Sequence, residues 1–315
     1  MTAPYIWLDE LTESQPSVVT VGTFDGVHRG HQVILGRVRE RARSLGLRSV
    51  ALTFHPHPRQ VLHPEVGPHR LLSTLSERAG LIRELGIDEV VVVRFTHEFA
   101  QMDSETFVRQ MLLDRLGMRQ MVVGYDHHFG RDRQGDPETL WRLSKRWGFH
   151  LEVIPPQQVH ALTISSTQIR QALAQGDVLL AWELLGRPYW ISGTVVPGRG
   201  RGRMLGFPTA NLSIPPEKFL PAQGVYAVDV TLPNGASYRG MLNLGHRPTF
   251  GDSECVPEVH LLGFSGELYG EVLWVECLAH LRPVQRFPDA EALRRQLEAD
   301  RARCAALRRD VLLHA

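Results

Sequence analysis

The periodicity of apolar residues changes kind once along this chain, and that change constrains the fold more than any other feature. Val18 to Val21 form a short apolar run ending at Gly22, after which Ile34, Leu35, Val38, Ala42 and Leu45 recur at three- and four-residue steps. A second apolar run, Val50 to Phe54, completes a β-α-β unit. The alternation continues through expected strands at Glu89 to Val93, Gln120 to Gly124 and Leu151 to Ile154, with helical patterns over 74–85, 103–116 and 137–147 between them. A parallel sheet with helices on its faces is the economical solution. A further helix is expected to start at Ser165 to Thr167, whose hydroxyls can cap free amides, and to end at Gly176.

After Gly186 the texture is different. β-prone segments near 190–196, 225–231, 237–243, 258–264 and 271–279 are separated by Gly, Pro and Asn, which predicts a compact antiparallel β-barrel. From Asp289 onward, Leu293, Leu297, Cys304, Leu307 and Val311 trace an apolar helical stripe that should pack against that barrel. A chain of 315 residues is long enough for two cores, and the break at Gly186 and Pro188 places the boundary near 183–188, giving domains 1–185 and 186–315.

The 35 Lys and Arg balance 34 Asp and Glu, so there is no general electrostatic pull toward nucleic acid or an acidic membrane, and any phosphate site must be local. Cys255, Cys277 and Cys304 are widely spaced and odd in number, which argues against a disulfide framework or a cysteine-based zinc site. The N-terminus lacks a basic region followed by an apolar core, and no stretch approaches the roughly 20 apolar residues of a membrane span. A cytoplasmic protein is expected, with a homo-oligomer left open.

Directly after the first strand stands Gly22-Thr23-Phe24-Asp25-Gly26-Val27-His28-Arg29-Gly30-His31, leading into a helix. A helix N-terminus offers unpaired N–H groups and a positive dipole end, and glycine lets the backbone approach an anion. His28 and His31 can there both donate to a triphosphate and to the charge developing on its α-phosphorus, which is positioning and electrostatics rather than covalent catalysis. The string resembles the H-x-G-H signature of nucleotidylyltransferases and, in its longer form, the adenylyltransferase domain of bifunctional riboflavin kinase/FAD synthetases.

That resemblance extends to Thr53-Phe54-His55-Pro56-His57-Pro58, to Gly124-Tyr125-Asp126-His127-His128-Phe129-Gly130, and to Ile164-Ser165-Ser166-Thr167-Gln168-Ile169-Arg170. Each falls at or beyond the C-terminal end of an expected strand, the edge where open parallel sheets bind ligands. The resemblance implies a Rossmann-like domain in which Gly22, Phe24, Asp25, Gly30, Ser165, Ser166, Thr167 and Arg170 meet the ATP phosphates. It likewise implies that Phe54, His55, Pro56, Asp126 and Phe129 line the flavin side. The wording departs from the commoner family form at Thr23, often Asn, at His127, often aromatic, and at Gln168, often Arg.

Between two expected strands, residues 198–212 read G-R-G-R-G-R-M-L-G-F-P-T-A-N-L. Glycines alternating with arginines, including Gly198, Arg203 and Gly206, suit a flap over phosphates. The P-T-A-N element resembles the riboflavin kinase signature. By that resemblance Thr209 and Asn211 hold Mg²⁺ with the ATP phosphates, a role that suits hard oxygen ligands. Family wording recurs in Gly224-Val225-Tyr226, in Asn243 to Thr249, and in Glu258-Val259-His260-Leu261-Leu262, where the match makes Glu258 the base for the flavin 5′-hydroxyl. The family reading implies a six-stranded kinase barrel with a trailing helix, ATP and Mg²⁺ in both reactions, and conversion of riboflavin to FMN and then FAD.

Overall fold

The computed structural model describes residues 3–131, 134–198, 202, 205–246 and 255–312. The chain divides into two units, Met1–Ser166 and Thr167–Ala315.

In the first unit, strands β1 (Ile6–Trp7), β2 (Ser17–Val21), β3 (Arg48–His55), β4 (Glu89–Arg94), β5 (Met118–Gly124) and β6 (His150–Ile154) form one sheet in the order β1-β4-β3-β2-β5-β6. Every pairing is parallel. All five residues of β2 are buried because both faces of the sheet are covered. Alternate residues feed opposite layers. Val19 and Val21 pack with Phe107, Leu112 and Leu140 on one side, while Val18 packs with Leu35, Val38, Ala79 and Ile82 on the other. From β2 the chain winds outward through β3 and β4, then returns to place β5 on the opposite flank. The sheet therefore has its topological switch point between β2 and β5, where α/β sheets open a crevice at their carboxyl ends.

Each expected strand is present. β1 was not expected, since two residues carry no periodicity. The regular helix anticipated over 103–116 is a short turn, Ser104–Thr106, followed by a π-helix, Phe107–Arg115. A small hairpin, β7 (Gln158–Val159) with β8 (Leu162–Thr163), precedes the end of the unit.

The second unit opens within helix Ser166–Ala174, whose first residue closes the first unit, and continues with helix Val178–Leu185. Strands β9 (Tyr189–Val196), β10 (Ala210–Ser213), β11 (Gly224–Thr231), β12 (Ser237–His246), β13 (Cys255–Leu261) and β14 (Val272–Arg282) then close into a barrel in the order β10-β13-β12-β11-β14-β9. All pairs are antiparallel. The sixth strand, β10, lies within the P-T-A-N stretch that sequence reading left between strands.

Helix Ala290–Ala306 is capped by Asp289, which accepts from the Ala292 amide at 2.7 Å. Fully buried Asp300 takes the Arg282 guanidinium at 2.8 Å, and Cys304 is buried on the stripe that sequence periodicity predicts. Arg239 Nη1 donates to the carbonyls of Cys304 and Leu307 at 3.2 and 2.8 Å, satisfying the helix C-terminus. The side chain of Val311 lies outside the described residues, as do Arg203 and the Arg247 to Thr249 portion of the family wording.

Candidate active sites

The loop after β2 sits at the switch point and is held in an unusual conformation. The Gly22 amide donates to the Leu52 carbonyl at 3.0 Å, which keeps the loop in register with β3. Phe24 and Val27 then both take positive φ, 48° and 41°. Such geometry costs on the order of 1–3 kcal/mol per residue and persists only where surroundings enforce it. Here they do, because Phe24 and Val27 are 2% and 1% exposed and pack into the core. Asp25 is 1% exposed and accepts the Ser73 amide at 3.1 Å, the Gly26 amide donates to Ser73 Oγ at 2.9 Å, and Ser166 Oγ donates to the Asp25 carbonyl at 2.8 Å. Phe24 and Asp25, expected beside the phosphates, are thus buried residues that shape the loop.

The loop delivers two histidines to the start of helix Arg29–Leu45. Their rings stack at 3.6 Å with planes 15° apart, and Phe24 meets His31 edge-on at 5.2 Å. His28 is the N-cap, its Nδ1 accepting the His31 amide at 3.3 Å. That bond assigns the neutral ring's proton to Nε2, so His28 donates through Nε2 and not through both nitrogens. Gly30 belongs to the same packing: a Cβ there would stand 3.2 Å from the His28 ring and would press on the stacked pair.

The carboxyl end of β3 presents Phe54, half-buried and edge-on to Phe95 at 5.6 Å, then His55, with exposed Pro56 directly after the strand. After β5, Asp126 is exposed and Phe129 is 7% exposed, packed on Phe107 at 5.5 Å. His127 stacks on Phe129 at 5.4 Å with planes 24° apart. Its ring is half-buried and its Nε2 enclosed without a hydrogen-bond partner. Burial, reinforced by the neighbouring His128, pulls its pKa down to about 4. At neutral pH His127 is an uncharged aromatic plate, which accounts physically for a histidine where the family usually has an aromatic ring. At Thr23 the contact made is the backbone carbonyl, which accepts Thr53 Oγ1 at 3.3 Å. Ser165 precedes helix Ser166–Ala174, and Thr167 and Arg170 lie on its first turns.

Sequence reading missed Arg78. It is 1% exposed, on helix Leu75–Glu84, and its Nη2 donates to the Phe54 carbonyl at 3.0 Å. The signal was available: the buried positions Leu75, Arg78, Ala79 and Ile82 follow helical spacing, and a cation occupies a core position.

In the barrel, Asn211 on β10 is the register partner of Glu258 on β13, which is in turn the partner of Asn243 on β12. Directly opposed residues share a face, so the three polar side chains form a row across three strands, with Asn211 6% exposed and Glu258 half-buried. Gly198 covers the row's end, and a Cβ there would collide with the Asn211 amide. Thr209 is exposed immediately before β10. Gly206 takes φ 83° in the preceding turn, and the Phe207 amide donates to the Gly202 carbonyl at 2.8 Å. His260 Nδ1 lies 2.7 Å from the Pro208 carbonyl, and Arg301 sits over the Phe207 ring at 5.5 Å. A cavity of about 440 Å³ adjoins this turn, bounded by Gly206, Pro208, His260, Phe264 and Arg301.

A helix N-terminus bearing paired histidines at a sheet switch point, together with a barrel bearing a Thr, Asn and Glu constellation beside a glycine-rich turn, defines a two-site transferase for phosphate-bearing substrates. Residues 10–168 match the FAD synthetase family model and residues 185–307 the riboflavin kinase model. A bifunctional riboflavin kinase/FMN adenylyltransferase of Pseudomonas fluorescens is 43% identical over 296 residues, 94% of each chain. The protein of that name from Escherichia coli K12 is 37% identical over 283 residues, 90% of each. A crystal structure described as a macrolide-efflux protein from Streptococcus pneumoniae superposes with a TM-score of 0.87 at 32% identity, covering 96% of this chain and 97% of that one. The chain belongs to the bifunctional riboflavin kinase/FMN adenylyltransferase family. It is an enzyme of flavin-cofactor biosynthesis that phosphorylates riboflavin to FMN with ATP and adenylylates FMN to FAD. Among the described residues, no helix is long and apolar enough to cross a membrane.

Proposed function

We propose that adenylyl transfer is carried out at the loop and helix terminus after β2, and riboflavin phosphorylation at the Asn211 and Glu258 row. The stacked histidine pair carries the first assignment. In-line attack by an FMN phosphate oxygen on the ATP α-phosphorus spreads negative charge over the non-bridging oxygens while pyrophosphate leaves. His28 Nε2–H, His31 and the free amides of helix Arg29–Leu45 supply donors and a positive dipole end for that charge. Gly22 and Gly30 let the backbone approach, while buried Phe24 and Asp25 hold the loop. Ser165, Ser166, Thr167 and Arg170 take the phosphate side by family motif. Phe54, His55, Pro56, Asp126 and Phe129 take the flavin side, with His127 as a neutral stacking plate.

In the barrel, Glu258 accepts the proton of the riboflavin 5′-hydroxyl as its oxygen attacks the γ-phosphorus and ADP leaves. The donor set fits Mg²⁺. Thr209 and Asn211 offer hard oxygens, and no group of three or more His, Cys, Asp or Glu stands ready for a metal among the described residues, so phosphate and water would complete the shell. Thr209 and Asn211 would hold the ion, which supplies charge neutralisation on the ATP phosphates. Gly198, Arg203 and Gly206 take the phosphate-flap role by family motif, and the 440 Å³ cavity beside Gly206 receives the nucleotide.

The functional division falls near 183–188, with adenylyl transfer on 1–185 and the kinase on 186–315. A reducing cytoplasm suits the buried thiols Cys277 and Cys304, whose pKa values burial pushes up to about 12 and about 11. The test is a time course of the purified protein with riboflavin, ATP and Mg²⁺, products separated chromatographically. FMN should appear first and FAD after it, with ADP and pyrophosphate released in step. Binding of riboflavin without turnover would overturn the assignment of either chemistry.

A further inference from the structure

Among the described residues, the N-terminal unit fully buries one cation, Arg78, that the chemistry above does not use. Arg78 occupies a core position of helix Leu75–Glu84, where Leu or Met would satisfy the stripe at lower desolvation cost. Its Nε and Nη1 are enclosed without hydrogen-bond partners, and only Nη2 bonds, to the Phe54 carbonyl at 3.0 Å. Asp25 provides the opposing charge. Burial pulls the guanidinium down to about 10, against the field of Asp25, so it remains a cation at neutral pH. An ion kept in a core at such cost needs a reason beyond packing.

Its two partners supply one. Asp25 belongs to the loop after β2, which carries the histidine pair, and Phe54 is the penultimate residue of β3, whose end leads through His55 to Pro56. Arg78 stands behind both. We propose that Arg78 is a positioning residue for adenylyl transfer: by holding the Phe54 carbonyl and countering Asp25 it sets the spacing between the phosphate loop and the flavin segment, and so the alignment of the FMN phosphate with the ATP α-phosphorus. The inference rests on the reading of the N-terminal site as the adenylyl-transfer centre. Each substrate still binds its own segment when the tether is cut, but the reacting atoms lose their line, so the loss belongs to the transition state.

The experiment uses the full-length protein with R78M and R78K, each assayed for FAD synthesis with FMN and ATP varied and for riboflavin phosphorylation. R78M is expected to lower adenylylation kcat by about 10²-fold with KM for both substrates within about threefold, while kinase turnover is unchanged. R78K keeps the charge opposite Asp25 without the fork and is expected to recover about tenfold of that loss. Wild-type kcat in R78M, a KM increase at constant kcat, or R78K no better than R78M would overturn the proposal. If R78M lacks a cooperative unfolding transition for the N-terminal unit, R78K decides, and wild-type kcat there overturns it. Failure of the underlying site assignment reads differently: H28A would then retain full FAD synthesis whatever the Arg78 variants do.

Discussion

Asn211 and Glu258 are direct cross-strand partners on β10 and β13, so the carboxylate stands across one strand spacing from the amide. In the proposed reading the barrel register thereby sets the distance between Glu258 as proton acceptor and Asn211 as a metal-side ligand. Closure through the β9 and β10 pairing locks that register, because Asn211 also pairs with Val196.

Glu258→Gln preserves shape and the strand register and removes proton acceptance. Riboflavin phosphorylation should fall roughly 10²–10⁴-fold while supplied FMN is still converted to FAD. The readout is initial rates of both reactions on one preparation. Normal phosphorylation would make Glu258 structural and direct the search to another carboxylate.

His28→Ala and His31→Ala should each lower the kcat of adenylyl transfer by on the order of 10²-fold or more, with FMN formation nearly intact. The two variants should differ in stability. His28 is also the helix cap, so its loss should cost about 1 kcal/mol in urea unfolding that His31→Ala does not show. Full FAD synthesis in both would sink the assignment.

His127 sets an acid limit on the N-terminal domain. Its pKa is about 4 in the native protein against an ordinary 6.5. Between those values the unfolded chain binds a proton that the native state does not, so stability is full above about pH 6.5 and is lost as pH falls toward 4. His127→Phe keeps the stacking on Phe129 and removes the titration. Between pH 7 and about 4.5 the wild type should lose about 1–3 kcal/mol more than the variant, a figure kept low because the ring is only half-buried. Urea unfolding at a series of pH values measures it, and identical slopes for the two proteins would show that His127 titrates normally. At neutral pH the variant should synthesise FAD as the wild type does.

A fragment beginning at Thr167 should fold, phosphorylate riboflavin and make no FAD. It retains the two helices that precede the barrel, including the bond from the Ala222 amide to the Leu173 carbonyl at 2.8 Å and the packing of Val178–Leu185 against β9 and β14. A fragment beginning at Gly186 should also phosphorylate riboflavin but unfold at lower urea, having lost that cover. Expression, cooperative unfolding and product analysis decide between them. A well-folded but inactive longer fragment would mean that the kinase borrows residues from the first half.

What the sequence determined by itself is the kind of structure and the kind of chemistry. Strand and helix periods of 2 and 3.6 are local properties, so Val18 to Val21, the Ile34 to Leu45 stripe and the change of texture after Gly186 could be read without contacts. The motifs around His28, Thr209 and Glu258 likewise carry their chemistry in residue type and order. Tertiary structure decided the rest, because pairing partners and burial depend on where distant segments meet. Two-residue β1 exists only because β4 offers an edge to pair with, and β10 becomes a strand only when the barrel closes. Phe24 and Asp25 read as ligand-facing but are turned inward by a loop held at positive φ. Helical spacing puts Arg78 on the core stripe, but which groups it meets there is settled only when its helix packs against Phe54 of β3. Desolvation is then what makes its single bond to Phe54 and the charge of Asp25 matter.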